Sequence, residues 1–447
     1  MSQLPHDPSA PMPPAVRRRI FMSTMLGNVV EYYDFTLYGT LAAIISAQFF
    51  PSGDATAALL AVYIGVVLSY AIRPIGGLIL GPLGDLKGRK FVLILTIALM
   101  SIGTAGIGVL PSYAAIGLAA PAILLLSRLV QGVGASVEYT TAANFLFEHE
   151  QGRRPNFVAG VLNSTCSVGS FLAAGLAYVM SVAMPGHAFA DWGWRIPFLL
   201  SIPIALIGVY MRNHVTETPE FQEILREAEQ EKVKQTPLRT ALRYHWADML
   251  KAIGLGAGQR IGSYTIQAYF VTALITAGFP ASQALLASML TYVVGPITSV
   301  WGGQLADRFG ARPVLLTGYG LFVVLTVPTF FAIGEKSIVL ATAAVVVFTL
   351  INNLVAAPLS VAYVLSFPPE VRATASALNF NIGTSLVGST AGLVAVWLFS
   401  ITGSNVSFGW YMTVACLVSI LVTVFALPKA LEHRKAMRGT ATAAVAK

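Results

Sequence analysis

Apolar runs of about 20 residues, the length a helix needs to cross a hydrocarbon core of about 30 Å, recur from Ile20 to Leu427. Short stretches of Pro, Gly or charge separate them. The pattern predicts twelve membrane-spanning helices, over 20–48, 56–81, 90–110, 116–145, 156–183, 194–212, 249–277, 282–305, 313–333, 337–366, 372–401 and 408–427. The expected fold is an all-α membrane protein. Its expected parts are an N-terminal tail (1–19), a six-helix bundle (20–213), a charged linker (214–248), a second six-helix bundle (249–428) and a C-terminal tail (429–447). The tail Met1 to Pro14 is polar and Pro-rich and lacks a small-residue cleavage site before the first span, so a removable signal peptide is not expected.

The two bundles are related. At an offset of 222 residues, Tyr70, Pro74, Ile75, Gly81, Leu83, Asp85, Gly88, Val92 and Leu93 meet identical residues in Tyr292, Pro296, Ile297, Gly303, Leu305, Asp307, Gly310, Val314 and Leu315. Two pseudo-symmetric halves of this kind enclose a site near the bilayer midplane and expose it to alternate sides by rocking. The repeated block sits in a Gly-punctuated turn with basic residues, Arg89 in the first copy and Arg312 in the second. One reading is a turn anchored by its positive charges. The other is a gate, with Asp85 and Asp307 accepting charge-assisted hydrogen bonds from a neighbouring helix end.

Composition agrees with the pattern: 55% of residues are hydrophobic and 11% charged, against about a quarter charged in soluble domains. Twenty-three of the 28 Lys and Arg fall in segments that share one side of the predicted topology. Basic segments stay in the cytoplasm, so both termini are expected there, in a cell inner membrane. The net charge of +8 is thereby a topological signal and an attraction to the lipid bilayer, not a sign of nucleic-acid binding. Cys166 and Cys416 both lie within spans and form no disulfide framework or metal site.

Several blocks resemble known transporters. Gly81-Pro-Leu-Gly-Asp85-Leu-Lys-Gly88-Arg89 and Gly303-Gln-Leu-Ala-Asp307-Arg-Phe-Gly310-Ala-Arg312 look like the signature loop of the major facilitator superfamily, and Arg128-Leu-Val-Gln131-Gly132 resembles its Arg-x-x-Gln-Gly motif. Gly27-Asn28-Val-Val-Glu31-Tyr32-Tyr33-Asp34-Phe35, Arg73-Pro74-Ile-Gly76-Gly77, Trp192-Gly-Trp194-Arg195-Ile-Pro197-Phe198, Glu217-Thr-Pro219-Glu-Phe221 and Asn379-Phe-Asn381-Ile-Gly383 resemble the metabolite:proton symporter family. That family includes carriers of citrate, 2-oxoglutarate, shikimate and proline betaine. The resemblance implies the major facilitator fold and symport of a small-molecule substrate with protons. The chain departs from the family at Ser136-Val137-Glu138-Tyr139-Thr140-Thr141 and at Gly160-Val161-Leu162-Asn163. Both places line the expected cavity, so the substrate of a relative does not carry over.

Charge at mid-bilayer depth is unfavourable by roughly 2.5 to 3.5 kcal/mol on insertion scales and marks function by default. Six such residues occur: Glu31, Asp34, Arg73, Arg128, Glu138 and Arg260. None has an identical partner at the 222-residue offset, so the scaffold does not need them twice. Burial favours the neutral carboxylic acid and a nearby arginine the carboxylate, and that competition makes a proton switch. Asp34 and Glu31 are the candidates for proton coupling, with Arg128 expected as partner of a span-one carboxylate and Glu138 divided between coupling and a gate ion pair. Arg260, Arg73, Tyr38, Tyr264, Gln267, Asn352 and Asn379 are the candidate substrate ligands. For Arg260 two readings stand, a bidentate grip on a carboxylate or snorkelling to the interface. For the amides the plain alternative is interhelical bonding.

No phosphate-binding loop, metal-ligand cluster or nucleophile and base pairing is present, and no cofactor is expected. The expected protein is a monomeric secondary transporter, not an enzyme. Proton symport of a small polar metabolite, tilted toward an organic acid by the three intramembrane arginines, is the leading reading. Proton-linked efflux of a drug or metabolite and uptake of a zwitterionic osmolyte are the alternatives.

Overall fold

The computed structural model describes residues 14–50, 53–87, 89–136, 154–184, 187–214, 243–368 and 371–427, with the side chains of 14–24, 26, 81, 82, 84–86, 89, 90, 211–214, 372 and 373 also outside the description. The described residues are helices joined by short turns, without strands, and form the twelve-helix, two-halved fold that the apolar pattern predicts. The first span is Pro14–Thr40, continued by Ala42–Phe49, and the second is Ala55–Ala71 followed by Arg73–Lys87. The third is Arg89–Val109, the fourth Ala119–Gly134, the fifth Pro155–Ala183 and the sixth Phe189–Gly193, Arg195–Leu199 and Ser201–His214. In the second half, the seventh is Trp246–Leu255 and Ala257–Tyr264 running through Thr265–Tyr269 into Phe270–Thr276. The eighth is Ala281–Phe309, the ninth Ala311–Gly334 and the tenth Ile338–Leu365. The eleventh is Arg372–Gly383 running through Thr384–Gly388 to Ala391–Thr402, and the twelfth is Val406–Phe425. Nine stretches among the described residues are long and apolar enough to cross a membrane, and Ala119–Gly134 is a shorter apolar helix.

The seventh and eleventh spans, continuous in the apolar pattern, change helix type midway in three dimensions. Thr265–Tyr269 in the seventh and Thr384–Gly388 in the eleventh are π-helical turns. Such turns release backbone carbonyls and cluster at functional sites. Both face the second span. Tyr63 donates its hydroxyl to the Ala268 carbonyl at 2.7 Å and lies 2.9 Å from the Thr272 hydroxyl. Ser385 donates to the Tyr70 carbonyl at 2.8 Å. Helix starts follow local chemistry, as where the Asp54 carboxylate accepts from the amides of Thr56 and Ala57 and caps the second span.

The halves meet most closely along the fifth and eighth spans. A Cβ at Gly303 would collide with the carbonyl oxygen of Asn156, and one at Gly160 would lie 2.6 Å from that of Ser299. These two glycines let the helix backbones touch. The contact lies toward the end of the bundle that carries Lys87, Arg154, Arg308 and Arg312, here called the basic end. The linker and C-terminal tail expected from the sequence fall largely or wholly outside the described residues.

Candidate transport site

The midplane charges belong to helices whose other faces are apolar, so the fold turns them inward, and the described ones are all buried. Glu31 and Arg73 form an ion pair, Arg73 Nη1 to Glu31 Oε1 at 2.9 Å. The Arg73 guanidinium also lies 4.0 Å from the Tyr70 ring centroid and 4.7 Å from that of Phe35, a cation held over two aromatic faces. Sequence reasoning placed Arg128 against a span-one carboxylate. In the structure Arg128 Nη1 donates to Gln131 Oε1 at 2.8 Å and Nη2 to the Ser69 hydroxyl at 3.1 Å, with the guanidinium 4.0 Å from the Tyr38 ring. The carboxylate of Glu31 takes Arg73 instead, because the bend after Ala71 sets Arg73 at the start of a new helix facing the first span.

Asp34 is 1% exposed and neither of its carboxylate oxygens has a hydrogen-bond partner. Arg128 from the fourth span and Glu31 from its own helix are its charged neighbours, and the Thr104 hydroxyl of the third span lies close enough to act on it as a hydrogen-bonding group. The Thr104 hydroxyl is committed elsewhere, donating to the Met100 carbonyl at 2.9 Å and accepting from Gln131 Nε2 at 2.6 Å. A titratable group is thus held in the interior beside, but not bonded to, an arginine.

In the second half Arg260 is 3% exposed. Its Nη1 reaches the Ile253 carbonyl at 3.4 Å, its plane lies 4.4 Å from the Tyr363 ring centroid, and Nε and Nη2 have no partner. The side chain is buried within the bundle and turned back toward Ile253. One turn on, Tyr264 meets Tyr70 edge to face at 5.0 Å and so joins the two halves. Asn352 Nδ2 donates to the Ser263 hydroxyl at 2.9 Å, which also accepts from Gln259 at 2.8 Å. Asn379 is fully buried with neither amide atom bonded, and Gln267 is half-buried on the π turn. Tyr38 lies inside the first half, donating to the Val62 carbonyl at 3.3 Å and covering Arg128, away from the second-half candidates.

At the basic end, Asp307 accepts from the backbone amide of Asn156 at 3.1 Å, from its Nδ2 at 2.8 Å and from the amide of Phe157 at 2.8 Å. The carboxylate of the eighth span therefore caps the N-terminus of the fifth, where unpaired amides and the helix dipole favour negative charge. Gly310, at φ +94°, supplies the turn out of the eighth helix, and Arg312 donates to the Val424 carbonyl at 3.0 Å. The first-half counterparts Gly81, Asp85, Gly88 and Arg89, and Glu138 in the fourth span, have side chains outside the described residues. Sequence reasoning missed Asn156, although the helix start Arg154-Pro155-Asn156 was its signal. It also missed Ser69 and Tyr363, which carry no sequence signal because they matter only as neighbours of arginines.

Two six-helix halves closed around buried charges, with one half's carboxylate capping the other's helix, define a membrane transporter. The family model described as Major Facilitator Superfamily matches residues 24–393, and the chain belongs to that superfamily. It is a multi-pass membrane protein and not an enzyme. Among its relatives are a proline/betaine transporter of Escherichia coli strain K12, 33% identical over 421 residues that cover 91% of this chain and 83% of the relative. The ectoine/proline transporter ProP of Corynebacterium glutamicum is 34% identical over 411 residues, 88% of this chain and 81% of that one. The crystal structure of a D-xylose-proton symporter shares the fold at a TM-score of 0.73 and 16% identity, over 92% of this chain and 97% of that one.

Proposed function

We propose that this chain is a secondary transporter that moves a small polar metabolite together with protons by alternating access, with the proton site in the first half and the substrate site in the second. The observation that carries the reading is Asp34: a carboxyl group buried in a membrane span, with no hydrogen bond to either oxygen, beside an arginine already bonded to neutral groups. Such a group can gain and lose a proton without breaking a fixed contact. Relatives named for proline, betaine and ectoine support a zwitterionic osmolyte as well as an organic acid. Drug efflux, which favours a broad aromatic cavity, fits the charge-lined interior less well. Uptake of labelled proline and glycine betaine into proteoliposomes, with and without an imposed proton gradient, tests the reading. Accumulation that ignores the gradient would sink it.

The same reading places the chain in a cell inner membrane as a monomer with both termini cytoplasmic, without nucleic-acid partners. Cysteines introduced at Ser2, Gln230 and Thr440 are then expected to resist a membrane-impermeant thiol reagent in intact cells. Labelling of Gln230→Cys from outside would overturn this topology.

With the basic end cytoplasmic, Asp307 of the eighth span, capping the fifth helix, is its latch, and Asp85 is the expected counterpart. Asp307→Ala removes the three bonds to Asn156 and Phe157. Charge-assisted bonds contribute about 1.5–3 kcal/mol each when intact, so the closed state at this end loses population. The expected result is an alkylation rate at Ser164→Cys, in a background lacking Cys166 and Cys416, that rises about tenfold. An unchanged rate would show that the contact does not hold this end shut.

A further inference from the structure

Arg260 stands apart from the other described intramembrane cations. Arg73 has the Glu31 carboxylate at 2.9 Å, and Arg128 has Gln131, Ser69 and the nearby charge of Asp34. Arg260 is 3% exposed, has no carboxylate partner among the described residues, and keeps Nε and Nη2 without any acceptor. A buried guanidinium without counter-charge is strongly unfavourable, so a fold that retains one holds it for something that arrives. The surroundings are poised in the same way. The Tyr363 ring supports one face of the guanidinium and its hydroxyl is buried without a partner. Gly383 lies against the other side, close enough that a Cβ there would stand 2.6 Å from Nη1. Asn379, one turn before Gly383 and so on the same helix face, has both amide atoms buried and unbonded. Donors left over in this cluster therefore include two guanidinium N–H groups, a phenol and an amide.

We infer that the Arg260, Tyr363 and Asn379 cluster binds one carboxylate group of the transported solute, so that the substrate class is a monocarboxylate or a zwitterion and not a dicarboxylate. Arg260 supplies one uncompensated positive charge, and Nε with Nη2 forms the edge that meets a carboxylate with two parallel hydrogen bonds. A second carboxylate would find the cation of Arg73 already neutralised. For a zwitterion the positive end has one aromatic ring close by in Tyr264, one turn from Arg260, whereas Tyr70 and Phe35 already lie against the Arg73 guanidinium. The inference rests on the symport reading for calling the bound anion a solute, but the binding itself is separable from coupling.

The test is ligand-induced thermal stabilisation of the purified full-length protein, read beside counterflow in proteoliposomes. The probes are glycine betaine, betaine amide, acetate, succinate, and chloride over a range of concentrations. Expected is stabilisation by glycine betaine and, more weakly, by acetate, with none from betaine amide or succinate. Arg260→Gln should weaken the glycine betaine response at least tenfold, with Arg260→Lys intermediate because it restores charge without the planar fork. Succinate binding as well as betaine, or an unchanged response in a folded Arg260→Gln protein, overturns the inference while leaving symport intact. If chloride stabilises the wild type through Arg260 and no carboxylate does, the cluster is an inorganic anion site and the inference falls. Arg260-dependent betaine binding without proton-driven uptake would retain the inference and remove the symport reading.

Discussion

Asp34→Asn is expected to abolish accumulation driven by a pH gradient while leaving substrate-for-substrate counterflow measurable. Asparagine matches the shape of the carboxylic acid but neither titrates nor carries charge, so each cycle proceeds without its proton. Exchange needs the halves to rock and the substrate to bind, not a proton to move. Because the Asp34 charge lies beside the buried Arg128 guanidinium, the substitution is expected to lower the unfolding midpoint, and retained counterflow shows that the variant still folds and rocks. If Asp34→Asn still concentrates substrate when only a proton gradient is imposed, the coupling role is lost and the residue is a structural neighbour of Arg128.

The second large effect concerns the Glu31–Arg73 pair. Removing one partner of a buried ion pair costs about 3–5 kcal/mol, because the other charge is left in the interior uncompensated. Glu31→Gln strands the Arg73 guanidinium between Phe35 and Tyr70, and Arg73→Gln strands the carboxylate. Each single variant is expected to lower the thermal unfolding midpoint by several degrees. The double variant should be less destabilised than the sum of the two, since no charge remains unpaired. Strict additivity in such a cycle would mean that the pair does not form in the protein in its membrane. Transport adds a second reading: a double variant that folds but loses counterflow would give the pair a part in the rocking motion and not in stability alone.

Arg128 lies near the span-one carboxylate Asp34 but donates its hydrogen bonds to Gln131 and Ser69. Asp34 and Arg128 are both mid-span and oppositely charged, and pairing them satisfied the cost of intramembrane charge. Spacing along the chain does not reveal that the second span bends after Ala71, which carries Arg73 to Glu31, whereas the Arg128-x-x-Gln131 spacing did leave room for Gln131 Oε1 to accept from Arg128 Nη1. For Asp307 the outcome differed. A carboxylate in a repeated Gly-rich turn pointed to a helix end as its partner, and the structure supplies the N-terminus of the fifth span. The identity of that helix came only from the fold.

What the sequence by itself determined is whatever follows from local transfer energetics: twelve apolar segments of membrane-spanning length, the duplicated block that makes two halves, the side on which basic residues gather, and the short roster of charges buried at midplane depth. Each of these depends on residue type and spacing along one helix. Tertiary structure alone decided which charge meets which, that Arg260 is left without a counter-charge among the described residues, and that π turns at Thr265–Tyr269 and Thr384–Gly388 open the seventh and eleventh spans toward the second. Those features depend on helix rotation and on where a helix bends, and both are set by packing between residues hundreds of positions apart, such as Ser385 against Tyr70. Hydropathy fixes how deep a side chain lies in the bilayer. Only the packed helices fix what it faces there.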